Sequence, residues 1–92
     1  MPKIAIYKFL TFFIYAFDAL NEPPHLHIVK EKGSRQRSAK IWLDTLELAH
    51  KGTLSATDLK QAIKVIKENR ARLIESFNSV KAGKKITTIK IK

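Results

Sequence analysis

Hydrophobic positions in the first half of the chain follow the two-residue period of β-strands. The segment from Leu10 to Phe17 is rich in Phe, Tyr, Ile and Thr and apolar on both faces, which predicts a central strand. Asn21 to Pro24 must end it, because each proline fixes φ and lacks an amide hydrogen. Alternation predicts a second strand over His25 to Lys30 and a third over Gln36 to Asp44, paired as a hairpin, with a short fourth at 46–50.

The second half follows the helical period instead. Ser55 is a hydroxyl N-cap, and Asp58 supplies an acid at the third helical position. One amphipathic helix is predicted from there to about Lys81, before Gly83. Its apolar stripe recurs at intervals of three and four residues: Leu59, Ile63, Ile66, Leu73 and Phe77.

Together these elements predict a single α+β domain over residues 1–82. An N-terminal antiparallel β-meander of three to four strands would pack against one long C-terminal helix. Residues 83–92 form a lysine-rich tail, whose composition fits both an edge strand and disorder.

The composition excludes several kinds of functional site and indicates the cellular compartment of the protein. The absence of cysteine excludes disulfides, thiolate zinc sites and thiol nucleophiles, and suits a reducing cytoplasm. The apolar run from Phe9 to Phe17 is far shorter than the ~20 residues that cross a bilayer. No small-residue cleavage site follows it. We therefore expect a cytoplasmic protein without a membrane segment.

The charge is strongly positive, with 18 Lys and Arg against 8 Asp and Glu, a formal net charge of +10. Two stretches without acids contribute much of the excess. Gly33 to Lys40 carries Arg35, Arg37 and Lys40, and residues 82–92 include Lys84 and Lys85. Such a field attracts RNA, DNA or an acidic protein surface. A solvated turn and tail would explain the same clusters.

His25 and His27 are the leading candidates for chemistry. Two positions apart on a strand, they share a face with backbones about 6 to 7 Å apart. One could act as general base and the other as general acid in RNA hydrolysis, with Arg37 or Lys40 stabilising phosphate charge. Against this, two histidines on one face of a strand more often have a structural role, in which they pack on aromatic rings or bond a carboxylate, and we expect that role first.

A metal site is the third hypothesis for the same histidine pair. It would need a further ligand brought near by folding. No cofactor is predicted. The candidates for that ligand are Asp18, Glu22, Glu47 and His50.

Trp42 and Arg70 are candidates for binding. Trp42 shares a strand face with Lys40, so its indole could stack on a base, although we expect it to be buried or half-buried against the rest of the domain. Arg70 interrupts the apolar stripe of the helix. Its guanidinium must either find a carboxylate or carbonyl partner, with Asp44, Glu47 and Glu22 as candidates, or extend to solvent.

Several of these segments together resemble a family called domain of unknown function 4160, over residues 12–80. The most specific is Glu22-Pro23-Pro24-His25-Leu26-His27. The sequence departs from the family pattern at Ser76-Phe77, near a typical tryptophan, and in its tail. The other matching segments are Phe12 to Tyr15, Ala39 to Asp44, Glu47 to Ala49 and Glu68 to Arg70.

The resemblance implies one component of a module of the toxin and antitoxin kind, encoded beside a small protein partner. With the charge, it favours a binding protein for that partner or for nucleic acid. A ribonuclease-like toxin that uses His25 and His27 is the alternative, and a histidine metal site is another. An exposed edge strand would also be compatible with a homodimer.

Overall fold

The computed structural model describes residues 3–15, 20–30 and 38–91. Its strands are β1 Lys3–Tyr7, β2 Leu10–Phe13, β3 His25–Lys30, β4 Ala39–Trp42, β5 Leu48–His50 and β6 Ile89–Ile91, and two helices, α1 Ala56–Glu68 and α2 Arg70–Lys81, lie between β5 and β6. No helix within these residues is both long enough and apolar enough to cross a membrane.

The strands form one six-stranded sheet in the order β5-β4-β3-β2-β1-β6. Strands β1 to β5 are an antiparallel meander, and β6 joins β1 in parallel. The sheet is therefore mixed. Its edges are β5 and β6.

The predicted meander of three to four strands is wrong, because the described residues form six. The prediction missed β1, in which Ile4 and Ala5 are adjacent and both fully buried, so the strand lacks a clear two-residue alternation. Its register with β2 is also irregular between Lys3 and Ala5. Without β1, the tail had no identified partner, whereas Ile89–Ile91 in fact pairs with it.

The single long helix is also wrong, because the helix ends at Glu68 and a new one begins at Arg70. The intervening Asn69 has φ −118° and ψ 19°, and its side-chain amide donates to the carbonyl of Val65 at 2.9 Å. Asparagine side chains compete for backbone groups in this way, which makes them poor interior helix residues. The predicted start is confirmed, since the Asp58 amide donates to the Ser55 hydroxyl.

One buried cluster joins the helices to the alternate positions of the strands. Leu10 and Phe12 on β2, Leu26 and Ile28 on β3 and Ile41 on β4 belong to it. Its members on the helices are Leu59, Ala62, Val65, Ile66, Leu73, Phe77 and Val80. The remaining positions of β2 to β4 point to the other face of the sheet.

The segment after α2 turns back to the sheet through Gly83, whose φ is +76°. The Gly83 amide donates to the Val80 carbonyl and that of Lys84 to the Ser79 carbonyl. A left-handed glycine after the last helical turn is a common helix ending, because it lacks a Cβ. This turn leaves Lys84 and Lys85 exposed between α2 and β6.

Candidate functional site

The second face of the sheet carries a row of polar and aromatic side chains. Phe13, His27 and Lys40 are register partners across β2, β3 and β4. His25 pairs with Trp42 one step along. The prediction that β3 spans His25 to Lys30 is confirmed, and the two-residue period places both histidines on this face.

His27 lies among aromatic rings. Its imidazole stacks on Phe13 with centroids 5.5 Å apart and meets the edge of Tyr15 at 4.8 Å. Its Nδ1 is 3.2 Å from the Ser38 hydroxyl oxygen. Aromatic packing of this kind fixes the ring orientation.

His25 contacts the residues before β3, the neighbouring strand β4 and the helix α2. Its Nδ1 lies 2.8 Å from the Pro23 carbonyl oxygen. A carbonyl only accepts, so Nδ1 carries the hydrogen. The ring meets those of His27, Trp42 and Phe77 edge-on, with centroids 5.2, 5.6 and 5.6 Å apart.

Burial weighs against a hydrolytic role for the pair. His25 is fully buried and His27 is only 8% exposed. A general acid or base must come within hydrogen-bond reach of the substrate, and these rings are covered by protein. As to a metal, no group of three His, Asp or Glu side chains in residues 3–15, 20–30 and 38–91 could hold one.

Beside the histidines lies an ion pair that the sequence analysis did not predict. Lys40 Nζ donates to Glu22 Oε1, although the two residues are 18 positions apart in the chain. This hydrogen bond, helped by the positive charge of Lys40, lowers the pKa of the Glu22 carboxyl below its ordinary value, against the opposing effect of burial. Lys40 is thus engaged inside the protein.

The indole of Trp42 is half-buried, as predicted. Lys40 Nζ lies 4.6 Å from the centroid of its ring, a cation–π contact. Trp42, Pro23 and Pro24 also line an open groove of about 300 Å³, completed by Asp44, Thr45 and Glu47. We call this the Trp42 groove.

Arg70 begins α2 and donates from Nη2 to the backbone carbonyl of Asp44. The sequence predicts that this guanidinium either bonds a carboxylate or carbonyl or extends to solvent, and the first alternative is the one observed. The contact joins the start of α2 to the turn after β4. Arg70 is half-buried, and its observed contact stabilises the fold.

The structure describes residues 82–91 of one predicted basic cluster and only Lys40 among the basic residues of the other. Arg35 and Arg37 lie outside the described residues. Lys84 and Lys85 line a groove of about 500 Å³ together with Lys3 and Val80, Gly83, Ile86 and Thr88. We call this the lysine groove. The sequence analysis missed Lys3, because its strand β1 was not predicted.

Several other contacts at the histidines escaped the sequence analysis. Phe13, Tyr15 and Phe77 were noted as apolar positions or parts of the resemblance, and Glu22 as part of the motif and a possible ligand or Arg70 partner. None of their contacts with the histidines or with Lys40 was predicted. The hairpin register would have placed Lys40 beside His27, since these two residues are directly opposed. The approach of Glu22 depends on how the chain turns between β2 and β3, for which the sequence offers no spacing rule.

A search among curated proteins found no match, and a search among solved structures found none either. A family model, described as domain of unknown function (DUF4160), matches residues 10–78. The match covers β2 to β5, α1 and most of α2, including both histidines, and leaves β1 and β6 outside. The chain belongs to the DUF4160 family.

Proposed function

We propose that this protein is a binding module that associates with nucleic acid through the lysine groove, as one component of a module of the toxin and antitoxin kind. The two-component part of the proposal comes from the resemblance of its motif. The nucleic-acid part rests on the positive net charge of the chain and on the lysines that line one groove.

The observation that carries the proposal is the lining of the lysine groove. It contains Lys3, Lys84 and Lys85 and no carboxylate. Lysine binds phosphate as a flexible point charge, and phosphate contacts dominate affinity for nucleic acid. The net charge of +10 adds a long-range attraction to any polyanion.

A binding role also agrees better with the histidine row than catalysis does. The rings of His25 and His27 pack on aromatic side chains and are covered from solvent. Lys40, the cation directly opposite His27 in the sheet, is paired with Glu22 rather than open to a phosphate. This arrangement fits a structural role in holding β3 and β4 together with α2.

Equilibrium binding to fluorescent duplex DNA and to single-stranded RNA at rising salt tests the proposal. If three lysines each contact a phosphate, the logarithm of the duplex binding constant should fall with the logarithm of salt with a slope of about −2.7. The absence of binding at low salt would contradict nucleic-acid association.

The same RNA separates binding from hydrolysis. We expect it to stay intact during prolonged incubation with the protein. Cleavage that a folded His25→Gln variant fails to carry out would instead favour the ribonuclease-like alternative.

A further inference from the structure

We infer that the Trp42 groove is a second interaction surface, separate from the lysine groove, and that it takes a basic side chain, arginine or lysine, from an extended segment of a protein partner. This inference does not depend on nucleic-acid binding. It rests on the lining of the groove, on its charge and on its place beside an open edge of the sheet.

The lining of the groove combines apolar walls with carboxylates. Trp42, Pro23 and Pro24 supply flat apolar surface, and Asp44 and Glu47 supply two exposed carboxylates. No lysine, arginine or histidine is part of the lining. The alkyl part of a long basic side chain can pack on the indole and prolines while its charged end meets the carboxylates.

The charge at this groove is opposite to that of the chain as a whole. Two of only 8 acidic residues line it. The lysine groove includes Lys3 on β1, which is three strands away from β4 in the sheet, roughly 14 Å at the usual strand spacing. Mobile ions screen charges over about 8 Å at physiological salt, so these distant lysines oppose a basic ligand only weakly. Two cations lie closer to the groove. Lys40 Nζ is 4.6 Å from the centroid of the Trp42 ring, but its charge is paired with Glu22, and the Arg70 guanidinium donates to the Asp44 backbone carbonyl and leaves the carboxylates of Asp44 and Glu47 exposed.

The groove also borders an edge of the sheet. Asp44, Thr45 and Glu47 belong to the connection between β4 and β5, and β5 is an edge strand. Leu48 on that strand is 42% exposed. An extended peptide can add to such an edge through backbone hydrogen bonds and place a side chain in the neighbouring groove. The volume of about 300 Å³ suits one long side chain better than a folded element.

The surface can be altered without disturbing the fold. The backbone groups of Asp44 and Glu47 bond Arg70 and Trp42, whereas their side chains are exposed. Asp44→Asn with Glu47→Gln removes two charges and keeps the shape. Glu68→Gln with Glu75→Gln is the matched control, since both residues are exposed on the helices and outside the groove.

Trp42 is the only tryptophan of the chain, so its fluorescence reports directly on the groove. The probes are blocked peptides Val-Arg-Val-Arg-Val and Val-Gln-Val-Gln-Val, titrated into the full chain. We expect saturable changes in emission with the arginine peptide alone. Affinity should fall about tenfold in the Asp44→Asn, Glu47→Gln variant, because two carboxylate contacts are lost, and stay unchanged in the control.

Three results would overturn the inference. Equal binding of the glutamine peptide would show that the groove selects apolar segments and not basic ones. An equal loss in both double variants would show attraction to net charge alone. Concentration-dependent dimerisation that only the Asp44→Asn, Glu47→Gln variant abolishes would show that a second copy of this chain occupies the groove. None of these readouts involves nucleic acid, so a negative result here would not contradict the proposed nucleic-acid binding at the lysine groove.

Discussion

The ring of Phe77 on α2 meets the ring of His25 on β3 edge-on, with centroids 5.6 Å apart and planes at 61°. His25 belongs to the motif from Glu22 to His27 on which the resemblance to the family rests, and both His25 and Phe77 lie within the residues that the family model matches. The contact therefore links the motif to the second helix. It places His25 in the packing of the domain.

Phe77→Ala should destabilise the protein strongly. Phe77 is 1% exposed and belongs to the buried cluster, so its loss leaves a cavity and removes the ring that covers His25. We expect the free energy of unfolding to fall by about 3–5 kcal/mol in urea titrations. His50→Ala, at an exposed position on β5, should change it by less than about 0.5 kcal/mol. A Phe77→Ala effect as small as that of the control would contradict the packing described here.

Glu22 should make the stability depend on pH in the acid range. The fold lowers the pKa of its carboxyl below 4.5, chiefly through the hydrogen bond from Lys40. A carboxyl with a lowered pKa stabilises the fold fully above 4.5, and this contribution disappears as pH falls from there through the folded pKa.

Glu22→Gln tests this dependence. At pH 7 the variant should be less stable by about 1–2 kcal/mol, because it loses a charge-assisted hydrogen bond to the buried Lys40. The loss is no larger because solvent screens the partly exposed carboxyl of Glu22. The difference from the natural protein should shrink below pH 4.5. In a double-mutant cycle with Lys40→Met, the coupling should disappear over the same range. A difference that stays constant with pH would rule out the ion pair as its cause.

Gly83→Ala isolates the cost of a backbone conformation. Gly83 has φ +76°, and a Cβ built there would meet nothing within 4 Å. Only the left-handed backbone opposes the substitution, so we expect a loss of about 1 kcal/mol, and less for Gly83→Asn. Thermal unfolding of the three proteins checks the order. Equal stability of the alanine variant would mean that the turn after α2 does not need glycine.

The sequence predicted best where a local rule determines the structure. β3 was correct to the residue because two prolines precede a strict alternation. The N-cap of α1 was correctly placed at Ser55 because a hydroxyl cap leaves a clear signal in the sequence. β1 was missed because Ile4 and Ala5 are both buried and hide the strand period. The break at Asn69 was missed because the apolar stripe resumes at Leu73 after the interruption at Arg70, and no glycine or proline marks the end of the first helix.

The same reasoning explains what could be foreseen of the candidate sites. Periodicity alone placed His25 and His27 on one face, but the ring contacts that cover them come from other elements. Phe77, about 50 positions away in the chain, packs on His25, and Phe13 on the neighbouring strand stacks on His27. Lys40 was treated as a surface cation, because its pairing with Glu22 is a long-range contact. Lys84 and Lys85 were recognised by composition, whereas Lys3 joined them only through β1.

The most direct test of the account compares two double variants of equal charge in their binding to duplex DNA. Lys84→Ala with Lys85→Ala alters the lysine groove, and Lys60→Ala with Lys64→Ala alters an exposed face of α1. The account predicts that the first variant binds more weakly and that its salt slope is smaller in magnitude by about 1.8, while the second retains most of both. Equal losses in the two variants would contradict a specific nucleic-acid surface at the lysine groove and leave only the net charge of the chain.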